Sequence, residues 1–148
     1  MSIPNQIKSP LRYPGSKATF FNVALRFIET YGLHDKEIVE PYAGSGIISL
    51  SLVSSGVIKR ATLIERDPLI YAFWKAVFEH TDTLISSIEE ISVDIDTWHE
   101  FRSYLKCDTP ENQQIPDLAL ACLFLNRTNF SGILHSVHVG GKNHNSKY

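Results

Sequence analysis

No stretch of this chain is long and apolar enough to span a membrane, and its opening "MSIPNQIKSP" holds no apolar core for export. The compartment expected from this is the cytoplasm. Charge of one sign is lacking as well. The formal net charge is −2, so nothing draws the whole molecule to nucleic acid, and any such binding must come from a local basic face. Cysteine is scarce: Cys107 and Cys122 stand in no metal-binding or redox spacing. They read as reduced thiols, with a single bridge as the alternative. There is no internal repeat and no low-complexity segment. What is present is an ordinary soluble composition, 43% apolar and 20% charged over 148 residues. That is enough for one domain with a real core and not comfortably for two.

Along the chain, "SPLRYPGSK", Ser9 to Lys17, is a loop punctuated by proline and glycine. Phe20, Phe21, Ala24, Leu25 and Ile28 then recur at helical spacing, with Gly32 near the stop. "EIVEPY" reads as a short buried strand, "GIISLSLVSS" as a helix ended by Gly56, "ATLIERD" as a second strand and "LIYAFWKAVFEH" as an apolar helix. Periodicity alone leaves "GIISLSLVSS" open, because it is rich in β-branched residues. "DTWHEFRSYLK" carries a T-x-x-E capping box, Thr97 with Glu100, and is expected to be helical. "TPENQQIP" reads as a loop, and a dense apolar helix follows from Pro116 into "RTNFSGI". The tail "VGGKNHNSKY" is polar, basic and aperiodic. Alternating strands and helices predict an α/β fold with a parallel sheet. Only two strands are persuasive, fewer than such a sheet ordinarily has.

The stretch "IVEPYAGSGIISL" is the chemically suggestive one. A strand, a G-x-G bend and a helix start bring backbone N–H groups close to any ligand, and Gly44 and Gly46 permit the bend and the approach. The third glycine of a dinucleotide fingerprint is missing, so alone the pattern reads as a tight turn without a ligand. Three neighbours change that reading: Glu40 before the bend, Glu65 at the end of the next strand, and Lys17 in the upstream loop. An acid at the end of the second strand is placed for a ribose diol. Lys17 suits a carboxylate, and Tyr13 a base or methylene. The set fits a nucleoside bearing an amino acid. No G-x-x-x-x-G-K-S/T loop is present, which argues against a nucleoside triphosphate.

"LRYPGSK", "VEPYAGSG", "LIERDP" and "FLNRTNFSGI" together resemble, in order, motifs of the Dam-type DNA adenine-N6 methyltransferases. The resemblance runs from about Leu11 to Tyr148. It implies an incomplete Rossmann-like S-adenosylmethionine-dependent methyltransferase fold with a parallel sheet flanked by helices. Within 1–148 it implies a cofactor loop at 9–17, a cofactor core at 37–68 and the start of a DNA-facing region at 118–148. S-adenosylmethionine would be held by Tyr13 and Lys17 at its methionine part. Glu40, Pro41, Tyr42, Gly44 and Gly46 would form the turn beneath it, Glu65 would take the ribose hydroxyls, and Arg66 with Pro68 would border the adenine. Family members often have Asp where Glu65 stands. Duplex DNA would meet Arg127, Phe130, Ser131, His135 and Lys142, with Lys147 nearby. The residue-level alternatives are that Arg127 caps its helix and Phe130 is core. His135, His138 and His144 have no completing acid or cysteine and read as solvated loop histidines rather than a metal site.

The family's methylating motif, D/N-P-P-Y/F, is absent, and no Pro-Pro dipeptide occurs in the chain. In the family, that motif's acid and a backbone carbonyl accept bonds from the exocyclic amine of an extruded adenine, and its aromatic stacks on the base. "RDP" at Asp67–Pro68 and "IPD" at Pro116–Asp117 are the nearest stretches, and both lack the second proline and the aromatic. The expectation is therefore the amino-terminal portion of such an enzyme, of restriction–modification or phage type, truncated and inactive alone. Two alternatives stand beside it. One is a non-catalytic subunit serving a second chain that carries the motif; the other is a small-molecule-binding α/β domain with no nucleic-acid role. With later strands missing, an unpaired sheet edge and uncovered helix faces are expected to drive self-association.

Overall fold

The computed structural model describes residues 7–15 and 17–139, in a chain that divides into two compact units, Met1–Glu65 and Arg66–Tyr148.

In the first unit a short 3-10 turn, Lys17–Phe20, leads into α1, Phe21–Tyr31. Phe21, Leu25 and Ile28, spaced by four and three, form the buried face of α1. The helix ends as expected at Gly32, whose N–H bonds to the Glu29 carbonyl. Strand β1, Ile38–Pro41, pairs in parallel with β2, Ala61–Ile64, in a register running from Ile38 opposite Ala61 to Pro41 opposite Ile64. Parallel neighbours require a crossover, and helix α2, Ile47–Ser54, supplies it. The ambiguity of "GIISLSLVSS" resolves here: its apolar residues pack with α1, so that Phe21, Leu25 and Ile28 share a core with Ile47, Ile48, Leu52 and Ile58. The sheet has two strands among the described residues. It is covered on one face, while Val39 and Ile64 remain exposed.

The second unit is helical, with α3 at Pro68–Glu79, α4 at Thr81–Glu90, α5 at Ile95–Ser103 and α6 at Ile115–Thr128. Helices α3 and α6 pack along their length. Both carry small buried residues, Ala72 and Ala76 on α3 and Ala119, Ala121 and Cys122 on α6, which let the two backbones come close. The Phe101 and Phe124 rings meet edge to face at 5.1 Å and join α5 to α6. Cys107 and Cys122 are not joined in a disulfide. No helix among the described residues is long and apolar enough to cross a membrane.

Three local expectations change. Helix α4 was not anticipated, although Leu84, Ile85 and Ile88 recur at helical spacing; of these only Leu84 is buried. "TPENQQIP" is not wholly irregular: Asn112–Gln114 forms a 3-10 turn held by the Gln114 side-chain oxygen accepting from Glu111 N–H at 3.1 Å. Thr97 and Glu100 do not form the cap of α5. The helix starts three residues earlier than that box would set it, and the Asp94 carboxylate caps it by accepting from Thr97 N–H at 2.8 Å. That bond, and after it the Thr97 hydroxyl, hold the Asp94 carboxyl below the usual carboxylate range. A folded-state pKa below the unfolded one contributes stability above the unfolded pKa, and that stability is lost as pH falls through the folded value. Asp94→Asn is therefore expected to keep the cap, since an asparagine oxygen also accepts, while removing this share of the acid dependence. Asp94→Ala is expected to lose both. Thermal melts of the two variants between neutral and acid pH check this.

Candidate functional site

The turn from Tyr42 to Gly46 joins β1 to α2 and departs from ordinary backbone three times. Tyr42, Gly44 and Gly46 have φ of 53°, 53° and 59°. Glycine adopts that region freely, but for Tyr42 it is strained, and such strain persists only where surrounding structure enforces it. Lys17 is part of that enforcement: its Nζ donates to the Tyr42 carbonyl at 2.6 Å and stands 3.7 Å from Glu40 Oε1. The Tyr42 ring points away into solvent, 72% exposed.

Glu40 is a buried acid, only 6% exposed. Its Oε2 accepts from Ser49 N–H at 3.0 Å, at the third residue of α2. Gly46 sits at the N-cap of that helix and has no side chain to cap with, so the preceding strand sends a carboxylate instead. Oε1 of the same residue has no hydrogen-bond partner, and neither do the buried hydroxyls of Ser49 and Ser51. Glu65, directly after β2, accepts from Gly44 N–H through Oε2 at 2.7 Å. The Ala43 N–H donates to the Ile64 carbonyl at 3.0 Å, which ties the turn to the end of the second strand.

Tyr13 brings the Pro/Gly loop to the same place. A Cβ built on Gly44 would lie 2.8 Å from Cε1 and Cζ of the Tyr13 ring. This revises one expectation: the bare backbone at Gly44 admits the Tyr13 ring, rather than leaving a notch for a ligand to enter directly. Six residues named from the sequence, Tyr13, Lys17, Glu40, Tyr42, Gly44 and Glu65, thus form one connected set within the first unit. Gly46 closes the turn, and its N–H donates to the Ala43 carbonyl at 2.8 Å. Pro41 ends β1 with its side chain exposed. Arg66 is exposed and opens the second unit.

In the second unit the segment after α6 turns on Asn129, which is 1% exposed. Its Oδ1 accepts from Trp98 Nε1 at 2.7 Å, and its Nδ2 donates to the Ile133 and Leu134 carbonyls at 3.1 and 2.7 Å. Asn126 adds a bond from Nδ2 to the Gly132 carbonyl at 2.8 Å. Backbone bonds from Phe130 N–H to the Val137 carbonyl and from Val139 N–H to the Thr128 carbonyl close the loop. Arg102 donates to the Ser136 carbonyl at 2.8 Å and lies over the Trp98 ring.

This framework presents Phe130 to solvent at 63% exposure, so Phe130 is not core. Arg127, Ser131 and His135 are exposed as well, and Ser131 is held at φ 56°. His138 is not simply solvated: its ring meets Trp98 edge to face at 5.2 Å. Lys142, Lys147 and His144 lie outside the described residues. Asn129 was missed from the sequence. The available signal was an asparagine between a helix end and "FSG", where its side chain can bond local carbonyls.

Asp67 stands at the start of the second unit. It is the N-cap of α3, where its Oδ1 accepts from Leu69 and Ile70 N–H at 2.9 and 3.2 Å, with Pro68 at the first helical position.

No curated protein and no solved structure matches the chain. The family model for D12 class N6 adenine-specific DNA methyltransferases matches residues 13–147, a span containing both sets of residues just described. On that match across nearly its whole length, this chain belongs to the D12 class of N6 adenine-specific DNA methyltransferases.

Proposed function

We propose that the first unit is the S-adenosylmethionine-binding part of a DNA adenine-N6 methyltransferase and is built on a Rossmann-like plan. The observation that carries this is the gathering of Tyr13, Lys17 and Glu65, from three separate segments, onto the single turn Tyr42–Gly46. The donor set suits the cofactor. A cation, Lys17, stands ready for the methionine carboxylate. An acid, Glu65, is placed for the ribose diol. Tyr13 and Tyr42 offer exposed rings, and Pro41 with Gly44 and Gly46 shapes the floor. Glu40 holds Lys17 and the start of α2 in place. When bound, S-adenosylmethionine supplies an electrophilic methyl group on a sulfonium.

Arg127, Phe130, Ser131 and His135, with Lys142 further along the sequence, are proposed to face duplex DNA, and a cytoplasmic location is proposed with them. A basic side chain there positions phosphate, and an exposed aromatic on a rigid loop can stack against an unpaired base.

Positioning the target amine needs an acceptor that this chain does not offer. The D/N-P-P-Y/F motif is not among its residues, and the carboxylate of Asp67, the nearest acid–proline pair, is engaged in capping α3. The chain is therefore proposed to transfer no methyl group by itself and to work with a polypeptide that carries the motif. The uncovered sheet face favours that second reading, since parallel sheets are ordinarily covered on both faces and Val39 and Ile64 are not.

The test is calorimetry with S-adenosylmethionine, followed by methyl transfer to duplex DNA. Saturable one-site binding, weakened about tenfold or more in Lys17→Ala by loss of a charge pair, with no transfer by the chain alone, is the expected result. Absence of binding would remove the cofactor reading, and transfer by the chain alone would remove the dependence on a partner.

A further inference from the structure

We infer that Glu40 and Glu65 are specificity elements: they occupy the anion seats of the Tyr42–Gly46 turn, so the site admits a nucleoside without a 5′-phosphate and refuses a phosphorylated one. The inference rests on the cofactor reading and extends it to what the site excludes.

A strand, a glycine bend and a helix N-terminus ordinarily make a phosphate cradle, because the free N–H groups and the helix dipole both favour negative charge. Here three of those groups are already engaged from inside the protein. Gly44 N–H is held by Glu65 Oε2 at 2.7 Å, and Ser49 N–H, in the first turn of α2, by Glu40 Oε2 at 3.0 Å. Gly46 N–H is engaged by the Ala43 carbonyl at 2.8 Å. The turn therefore presents carboxylates where a phosphate site presents N–H donors. The second oxygen of Glu40 is buried without a hydrogen-bond partner, 3.7 Å from the Lys17 Nζ whose charge it offsets. A phosphate arriving there would meet two like charges, whereas a neutral group would escape that repulsion and a cationic one would meet attraction. Lys17, at 3.7 Å from Glu40, remains a place for a carboxylate remote from the ribose.

Calorimetric titrations of the wild-type chain with S-adenosylmethionine, adenosine and adenosine 5′-monophosphate test this, alongside Glu40→Gln. The wild type is expected to bind S-adenosylmethionine, and to bind adenosine at least about tenfold more tightly than adenosine 5′-monophosphate. Glu40→Gln, which keeps an acceptor for Ser49 N–H and removes the charge, is expected to narrow that ratio severalfold. The ratio is indifferent to any loss common to both ligands, and if the variant fails to fold, the wild-type ratio still decides. Equal affinity for the two adenosine ligands, with S-adenosylmethionine still bound, overturns the inference and leaves the cofactor reading standing. No binding of S-adenosylmethionine overturns the cofactor reading and the inference with it.

Discussion

Gly44→Ala is expected to cost this chain about 2–4 kcal/mol of stability and to reduce S-adenosylmethionine affinity at least about tenfold. Two causes add. At φ 53° an alanine sits in the left-handed region, where a Cβ crowds its own backbone. That Cβ would also lie 2.8 Å from two atoms of the Tyr13 ring, inside van der Waals contact. The ring must swing away, and with it goes one wall of the proposed site. The causes can be separated with Tyr13→Ala. If the clash matters, the double variant Tyr13→Ala/Gly44→Ala will be less destabilised than the sum of the two singles, because the ring has already gone and only the backbone strain remains. Denaturant melts of the four proteins give the coupling. A Gly44→Ala protein with wild-type stability and affinity would mean that the turn is not packed as described.

Asn129→Ala is expected to destabilise the second unit by about 2–4 kcal/mol. The side chain volume lost is small, so the effect must come from what is left unpaired. Trp98 Nε1–H, the Ile133 carbonyl and the Leu134 carbonyl lose their partner together, in a place that is 1% exposed. Water cannot reach all three without the loop opening. Asn129→Asp separates polarity from pattern: one carboxylate oxygen still accepts from Trp98, but the other faces two carbonyl oxygens where a donor stood. It is expected to be no better than alanine at neutral pH. The functional consequence falls on Phe130, Ser131 and His135, which the loop displays. Their proposed grip on DNA should weaken in both variants, in proportion to loop opening rather than to any lost contact by residue 129. If Asn129→Ala melts like the wild type, the loop is held by its backbone bonds alone.

The parts of the fold that were legible beforehand are those whose cause is local. Gly32 after an apolar 3-4 repeat marks the end of α1, and the apolar run "LIYAFWKAVFEH" marks α3, although its cap, Asp67 with Pro68, was read as the end of the strand before it. The two strands announce themselves as short apolar runs ending in acids, and the match of the family model to residues 13–147 bears out the resemblance drawn from four short motifs. What was not legible depends on residues far apart in the chain. Trp98 finds Asn129 across 31 positions, and although Glu65 was expected near the bend, its direct bond to the Gly44 N–H was not. The same limit applied to the glycine bend. Its flexibility could be read from sequence, but not that Tyr13 fills the space at Gly44. Helix α4 was legible in principle from Leu84, Ile85 and Ile88 at helical spacing, but its polar, largely exposed surface reads like a connection between two apolar helices. The Asp94 cap was passed over for a nearby T-x-x-E pattern of the right form in the wrong place; three residues separate the true cap from the N–H it serves.

The central claim is that Tyr13, Lys17, the Tyr42–Gly46 turn and Glu65 form one nucleoside-binding site. Amide NMR of the chain during titration with S-adenosylmethionine tests it at the atoms concerned. The account predicts saturable shifts of the Gly44, Gly46 and Tyr42 amides that share a single dissociation constant. Because Glu65 holds the Gly44 N–H, the Gly44 signal should be among the most strongly moved. Saturable shifts that leave these amides still and gather elsewhere in the chain would contradict it.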